Sequence, residues 1–269
     1  MEYYVNSMQG FIKGIGKVAS TWDPRTIPWF RGEPEVETTA LLPTLYRTRD
    51  DGQRLDENQI VLSFRRMAPA YVKTPNIGET DQWLFLMQHL RVPTRLLDWT
   101  EGALIALYFA LEHSKPVVWM LNPDKLNGLS VPSGNVTPRA YPLTWFSGGQ
   151  TVNIGNLNIR GAWERDAVGT EIPIAIKPTY IHPRMAAQKS CFTIHGKVKK
   201  SISELVPESV VVKFRIRTHA IQTLLRDMNM LGVTHTSVYP EAEYLAKEII
   251  ELSLYDPGWV PKEEVGGEN

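Results

Sequence analysis

Strong hydrogen-bonding side chains stand inside otherwise apolar segments at several points of this chain. They are Arg31 in WFRGE, Arg47 after LLPTLY, Gln88 and His89 in FLMQHL, and Thr94, Arg95 and Asp98 in PTRLLDWT. Arg184 and Gln188 in HPRMAAQ and Thr193 in CFTIH continue the series. A guanidinium beside Trp29 and Phe30 is expensive to bury unless it is paired or holds a ligand. Two chemistries suit such a set. Arginines grip phosphate or carboxylate oxygens in bidentate fashion, and Gly32 beside Arg31 would let a ligand approach the backbone. Alternatively the groups form a buried network, with Arg95 paired to Asp98 as a staple of the core. His89 falls on an otherwise apolar helix and is either a base or a satisfied core histidine. Further on, Glu241 and Glu243 lie two apart at a strand-to-helix junction, where only one need point inward. Both also suit the first turn of a helix, whose dipole favours carboxylates.

Other chemistries are excluded by what the chain lacks. No GxGxxG follows a strand, and there is no Walker-type phosphate loop and no GxSxG elbow. The six histidines form no HExxH or paired motif, so no metal is expected. A single cysteine, Cys191, cannot form an internal disulfide or a cysteine-based zinc site. It reads as a small buried side chain; the nucleophile reading would need His195, four residues on, to share its face. Lys and Arg (29) balance Asp and Glu (29), so total charge demands neither nucleic acid nor a membrane, although a local basic groove is compatible with it. No apolar run approaches the roughly 20 residues that span a bilayer, and the N-terminus lacks a signal-type apolar run. A cytoplasmic protein without membrane contact is expected.

The elements that must position these groups follow from periodicity. Tyr4, Met8, Phe11, Ile12, Ile15 and Val18 predict an amphipathic helix near 3–20, packed on its own domain or docked on a partner. If it docks a partner, its removal leaves the fold intact. WFRGE (29–33) predicts a strand. Asp56, with Gln59 three residues later, predicts the cap of a helix over 56–72, and Thr80–Asp81 open another to about Leu90. Pro93 makes the next stretch extended. Thr100 then caps a helix apolar on most sides, which should be the central core helix. Strands are expected at VVWML, 172–178, 190–196 and 210–217. A helix from Ile221 ends at Gly232, SVYP is extended, and a final helix runs from Glu241 to about Leu252. Residues 122–170 read as long loops with short strands, carrying Tyr141, Trp145, Phe146 and Trp163 as loop pins or contacts for a partner or a base. Helices come first and strands mainly later, so a single-domain α+β fold is expected.

WFRGE, LLPTLYR, MQHLRVPTRLLDWTEGALIALYFA and PRMAAQKSCFTIHG, in this order, resemble the successive blocks of the FRG-domain family, and VTHTSVYPEAEYLAKEI is similar to its closing block. Tyr239-Pro240-Glu241 departs from the usual Phe-Pro-Asp there. The resemblance implies an N-terminal helix over 1–24, an FRG domain over 25–255 and a tail over 256–269.

A second resemblance, to ADP-ribosyltransferases, rests on the aromatic-Arg-Gly at the end of an early strand. It implies a mixed or antiparallel sheet of that type, with N-terminal and central helices, and NAD as substrate. Arg31 and Gly32 would hold its pyrophosphate or ribose, with Arg47, His89, Thr94, Arg95 and Gln188 around it. Ser190, Phe192 and Thr193 would support nicotinamide, and Glu241 or Glu243 would supply the catalytic carboxylate. Cleaving the ribose–nicotinamide bond builds an oxocarbenium-like charge that a carboxylate stabilises. The expectation is an ADP-ribosyltransferase of toxin or phage-defence type, acting on RNA, DNA or protein and held by an antitoxin or other regulatory partner. A non-catalytic nucleotide-binding or partner-controlled module is the alternative.

Overall fold

A computed structural model describes residues 2–36, 40–48, 51–130, 143–144, 171–196 and 198–253. Strands β1 (Glu2–Val5), β2 (Trp29–Pro34), β3 (Leu96–Thr100), β4 (Pro116–Leu121), β5 (Leu143–Thr144), β6 (Ile174–Lys177), β7 (Ser190–Ile194) and β8 (Val211–Ile216) form one sheet, in the order β1-β8-β4-β2-β3-β7-β6-β5. The two edge pairs, β1–β8 and β6–β5, are parallel and the rest antiparallel, so the sheet is mixed and the fold α+β.

One face of the sheet carries two separate apolar clusters. On β8, β4 and β2, the residues Phe214, Val118, Met120 and Phe30 are covered by helices α1 (Met8–Ala19), α4 (Ala103–Leu111) and α8 (Ile221–Met230). On β3, β7 and β6, the residues Leu96, Phe192, Ile194 and Ile174 are covered by α2 (Glu57–Met67) and α3 (Thr80–His89). The opposite face buries Trp29, Leu97, Trp99, Trp119, Ala175 and Cys191 beneath α5 (Pro123–Ser130) and α7 (Ile202–Leu205). Side chains alternate across a strand, and this period divides β2, β3, β4, β6, β7 and β8 between the two faces.

Helix α4 meets its expectation: none of its residues is exposed. It lies so close to β2 that a Cβ on Gly32 would stand 1.9 Å from the Ala106 carbonyl oxygen and 2.5 Å from the Ala110 nitrogen. Gly32 therefore makes room for a helix backbone, and it also lines the cleft described below. Thr100 acts one step outside the helix, accepting from the Gly102 amide at 2.9 Å.

The N-terminal expectation needs correction. Residues 2–5 form a strand, because Tyr3, Tyr4 and Val5 pair with Phe214, Arg215 and Ile216 of β8, and Ser7 caps the helix that follows. Val5 and Phe11 sit in the same cluster as Phe30 and Phe214, so this segment is part of the core. Residues 123–130, expected as loop, form a helix; Pro123 opens it and the Asn122 side chain accepts from the Lys125 amide at 2.8 Å. SVYP is not extended throughout: His235–Val238 is the short helix α9, closed by reciprocal bonds between Thr234 and Ser237. The final helix, α10, spans Ala242–Leu252, and Gly232 ends α8 at φ 76° as expected. Tyr141, Trp145, Phe146, Trp163, Lys197 and the tail from 256 lie outside the described residues. Among the described residues, no helix is long and apolar enough to cross a membrane.

Candidate functional site

The site begins where the sheet loosens. Strands β2 and β3 share one residue pair, Phe30 with Thr100, and then part. A continuous ladder would put Gly32 opposite Asp98. Instead the Arg31 side chain fills the gap, its Nη1 donating to the Asp98 carbonyl oxygen at 2.9 Å. Its Nε donates to Glu33 Oε2, also at 2.9 Å. Glu33, two residues along the strand and so on the same face, is buried and accepts from the Leu41 amide at 3.1 Å through its other oxygen.

On the face that carries the two clusters, the space between them at this split is a cleft of about 300 Å³. Phe30, Asp98, Thr100, Ser190 and Phe192 form its floor, and Gln88 and His89 of α3 form one wall. Phe109, Glu112 and His113, at the end of α4, form another. Tyr239 closes it together with Arg184 and Gln188, from α6 (Pro183–Ala187) and its C-cap. Its volume is at the lower end of the roughly 300–1,000 Å³ usual for ligand pockets.

Asp98 is the carboxylate at the base of this cleft. Gln88 Nε2 donates to its Oδ2 at 2.7 Å, and Arg31 Nη1 stands 3.9 Å from the same oxygen. Thr94 holds Gln88 in turn, donating to its Oε1 while accepting from the Leu96 amide. The Asp98 side chain is 58% exposed, yet protein surrounds it on most sides, as befits the bottom of an open cleft. That enclosure raises its pKa above the ordinary carboxyl value, against the pull of Arg31, Gln88, its own amide and Arg47. Water entering the cleft moderates the shift. Burial lowers the pKa of Arg47, and the nearby Arg31 charge adds to this while Glu33 and Asp98 oppose it. Two arginines and two carboxylates thus share one partly enclosed corner.

His89 packs against His182 with ring centroids 3.9 Å apart and the ring planes tilted by 35°. Burial lowers its pKa first, followed by His182 and Arg184, while Glu241 opposes, so its imidazole is held neutral near pH 7. Tyr239 keeps its phenolic proton, since burial, Glu112 and Tyr244 push its pKa up to about 12.

Several expected site residues lie elsewhere. Thr193 is fully buried on the opposite face, where it accepts from Trp99 Nε1 at 3.0 Å. Ser190 and Thr193 are three apart on a strand, so they cannot face one ligand. Arg95 does not pair with Asp98, again because a spacing of three separates their faces. Its guanidinium instead makes a bidentate pair with Glu57, whose attraction outweighs the burial that would lower its pKa. Glu243 is exposed on α10. Glu241 does not line the cleft, and its Oε1 pairs with Arg184 Nε at 2.6 Å. Arg47 and Thr94 support the site from behind. Cys191 is buried with its thiol pKa raised well above the usual value, chiefly by desolvation, which ends the nucleophile reading.

Phe85, Phe109 and Glu112 escaped the sequence reading. Each lies within or just after an apolar helix, where a core role and a cleft wall look the same. Glu33 escaped it too, although its spacing of two from Arg31 on a strand, which puts both on one face, was a signal that could have found it.

Fold and site together define an α+β protein whose mixed sheet parts over a polar cleft floored by a carboxylate. The FRG domain family model matches residues 27–117 of the chain, which supports the resemblance over that stretch. The match covers β2 to the start of β4, including Arg31, Gln88, His89 and Asp98; the wall from Arg184 to Tyr239 lies beyond it. No curated protein and no solved structure matches the chain.

Proposed function

We propose that the cleft binds NAD and that the protein is an ADP-ribosyltransferase, with Asp98 rather than Glu241 or Glu243 as the carboxylate beside the ribose. The observation that carries this reading is Asp98 itself: a carboxylate open to a ligand-sized cleft, oriented by Gln88 and set beside the fixed Arg31 charge. Breaking the bond from ribose C1 to the nicotinamide nitrogen develops positive charge on the sugar. A pre-positioned carboxylate stabilises that charge without reorganising. Phe192 stacks on Phe85 at 5.5 Å and offers an aromatic floor for the nicotinamide ring. Gln188, Ser190 and Tyr239 line the same cavity as hydrogen-bonding groups. Toxin or defence use and control by an antitoxin belong to the same reading.

One observation favours a second reading. The Arg31 guanidinium is already taken by Glu33 and the Asp98 backbone. In a non-catalytic nucleotide-binding module that network would be structural. Incubation with labelled NAD, cell lysate and total RNA separates the two. The transferase reading predicts label on an acceptor, lost in Asp98→Asn. An NAD-induced thermal shift without turnover would establish the binding module instead.

A further inference from the structure

A second cavity, of about 530 Å³, adjoins the cleft. Its walls are the loop at Val72, Lys73 and Pro75, the outer side of α3 at Gln82 and Leu86, and Ile181 with His182. His89 lines both cavities and so stands where they meet, and His182, in the second cavity, packs against it with ring centroids 3.9 Å apart.

The lining has a definite chemistry. Leu86, Val72, Pro75 and Ile181 give apolar surface, the His89 and His182 rings add planar faces, Gln82 offers a donor and an acceptor on one amide, and Lys73 is exposed. Among its described lining residues there is no carboxylate. Apolar surface with two imidazole rings, an amide edge and a cation together match a nucleobase with its phosphate. Single-stranded bases are taken up in this way, by stacking, amide bonds to the base edge and a cation on the backbone.

We propose that the second cavity is the acceptor site of the transfer reaction and that it takes a base of single-stranded nucleic acid, with His89 receiving the acceptor's proton. This rests on the NAD reading of the cleft. In the step, the ribose C1–nicotinamide bond breaks and its electron pair leaves with nicotinamide. An amino or ring nitrogen of the acceptor base forms the new bond to C1, and its proton passes to the His89 imidazole. The neutral state of that imidazole suits the role.

Binding of short single-stranded DNA and RNA oligonucleotides, measured without NAD by fluorescence anisotropy, tests the site independently of the cleft. The native protein should bind them, and Lys73→Ala and Gln82→Ala should each weaken binding about tenfold. Asp98→Asn, in the other cavity, should bind as the native protein does. With NAD added, His89→Asn should lose transfer to the oligonucleotide more than nicotinamide release to water. Absence of oligonucleotide binding, binding indifferent to both substitutions, or label found on protein instead would overturn the proposal. Oligonucleotide binding through this cavity without NAD cleavage would overturn the transferase reading while upholding the nucleobase site.

Discussion

Adding one carbon at Gly32 would place it 1.9 Å from the carbonyl oxygen of Ala106, a backbone atom that cannot move without displacing α4. Gly32→Ala should therefore lower stability by about 3 kcal/mol or more, read as a fall in the urea midpoint. A merely permissive glycine would leave the midpoint almost unchanged. His195 is fully buried, and its pKa is lowered to about 3, chiefly by burial. The Lys200 backbone lies near its ring, but neither ring nitrogen has a partner of good geometry among the described residues. The unfolded chain takes up this proton near pH 6.5, while the folded protein resists it until about pH 3. The contribution of His195 to stability is thus intact above pH 6.5 and is lost as pH falls from there to about 3, with a slope of up to about 1.4 kcal/mol per pH unit. Comparing His195→Phe with the native protein across this window isolates the effect. A native slope no steeper than the variant's would contradict it. Side-chain pairing was only partly legible at this scale. The residue types at Arg31, Asp98 and Arg95 announced buried charge, but the partners Glu33 and Glu57 depend on face and on distant contacts.

The elements with clear periodicity were legible, and those shorter than a period were not. Strands β2, β4, β6, β7 and β8 and helices α2, α3, α4, α8 and α10 lie where apolar spacing places them. β1 escaped because its four residues continue the helical spacing of α1; only pairing with β8 makes them a strand. The split between β2 and β3 was also invisible, since sequence does not state which strands pair, or for how long. β1 covers the outer edge of β8, and Tyr3 stacks on Phe214 at 5.1 Å. Deleting residues 1–7 should expose that edge and an aromatic core side chain. The truncated protein should unfold at markedly lower urea and aggregate where the full chain does not. Unchanged stability would return this segment to the role of a detachable docking element.

At the scale of the molecule, the cleft exists because two helical layers cover one sheet face from opposite ends and leave the middle open. The α+β class followed from the order of the elements. The FRG resemblance followed from motifs whose first blocks fall in the matched stretch, 27–117. The cavity itself did not follow, for it is bounded by residues from Phe30 to Tyr239 that only the sheet order brings together. In the proposed reaction Asp98 is the carboxylate that drives NAD cleavage. Nicotinamide release by the native protein, beside Asp98→Asn and Glu243→Gln, tests this most directly. Asp98→Asn should lose about 100-fold or more and Glu243→Gln should change little. Native activity that survives Asp98→Asn but falls in Glu243→Gln would contradict it, as would a native protein that releases no nicotinamide with any acceptor.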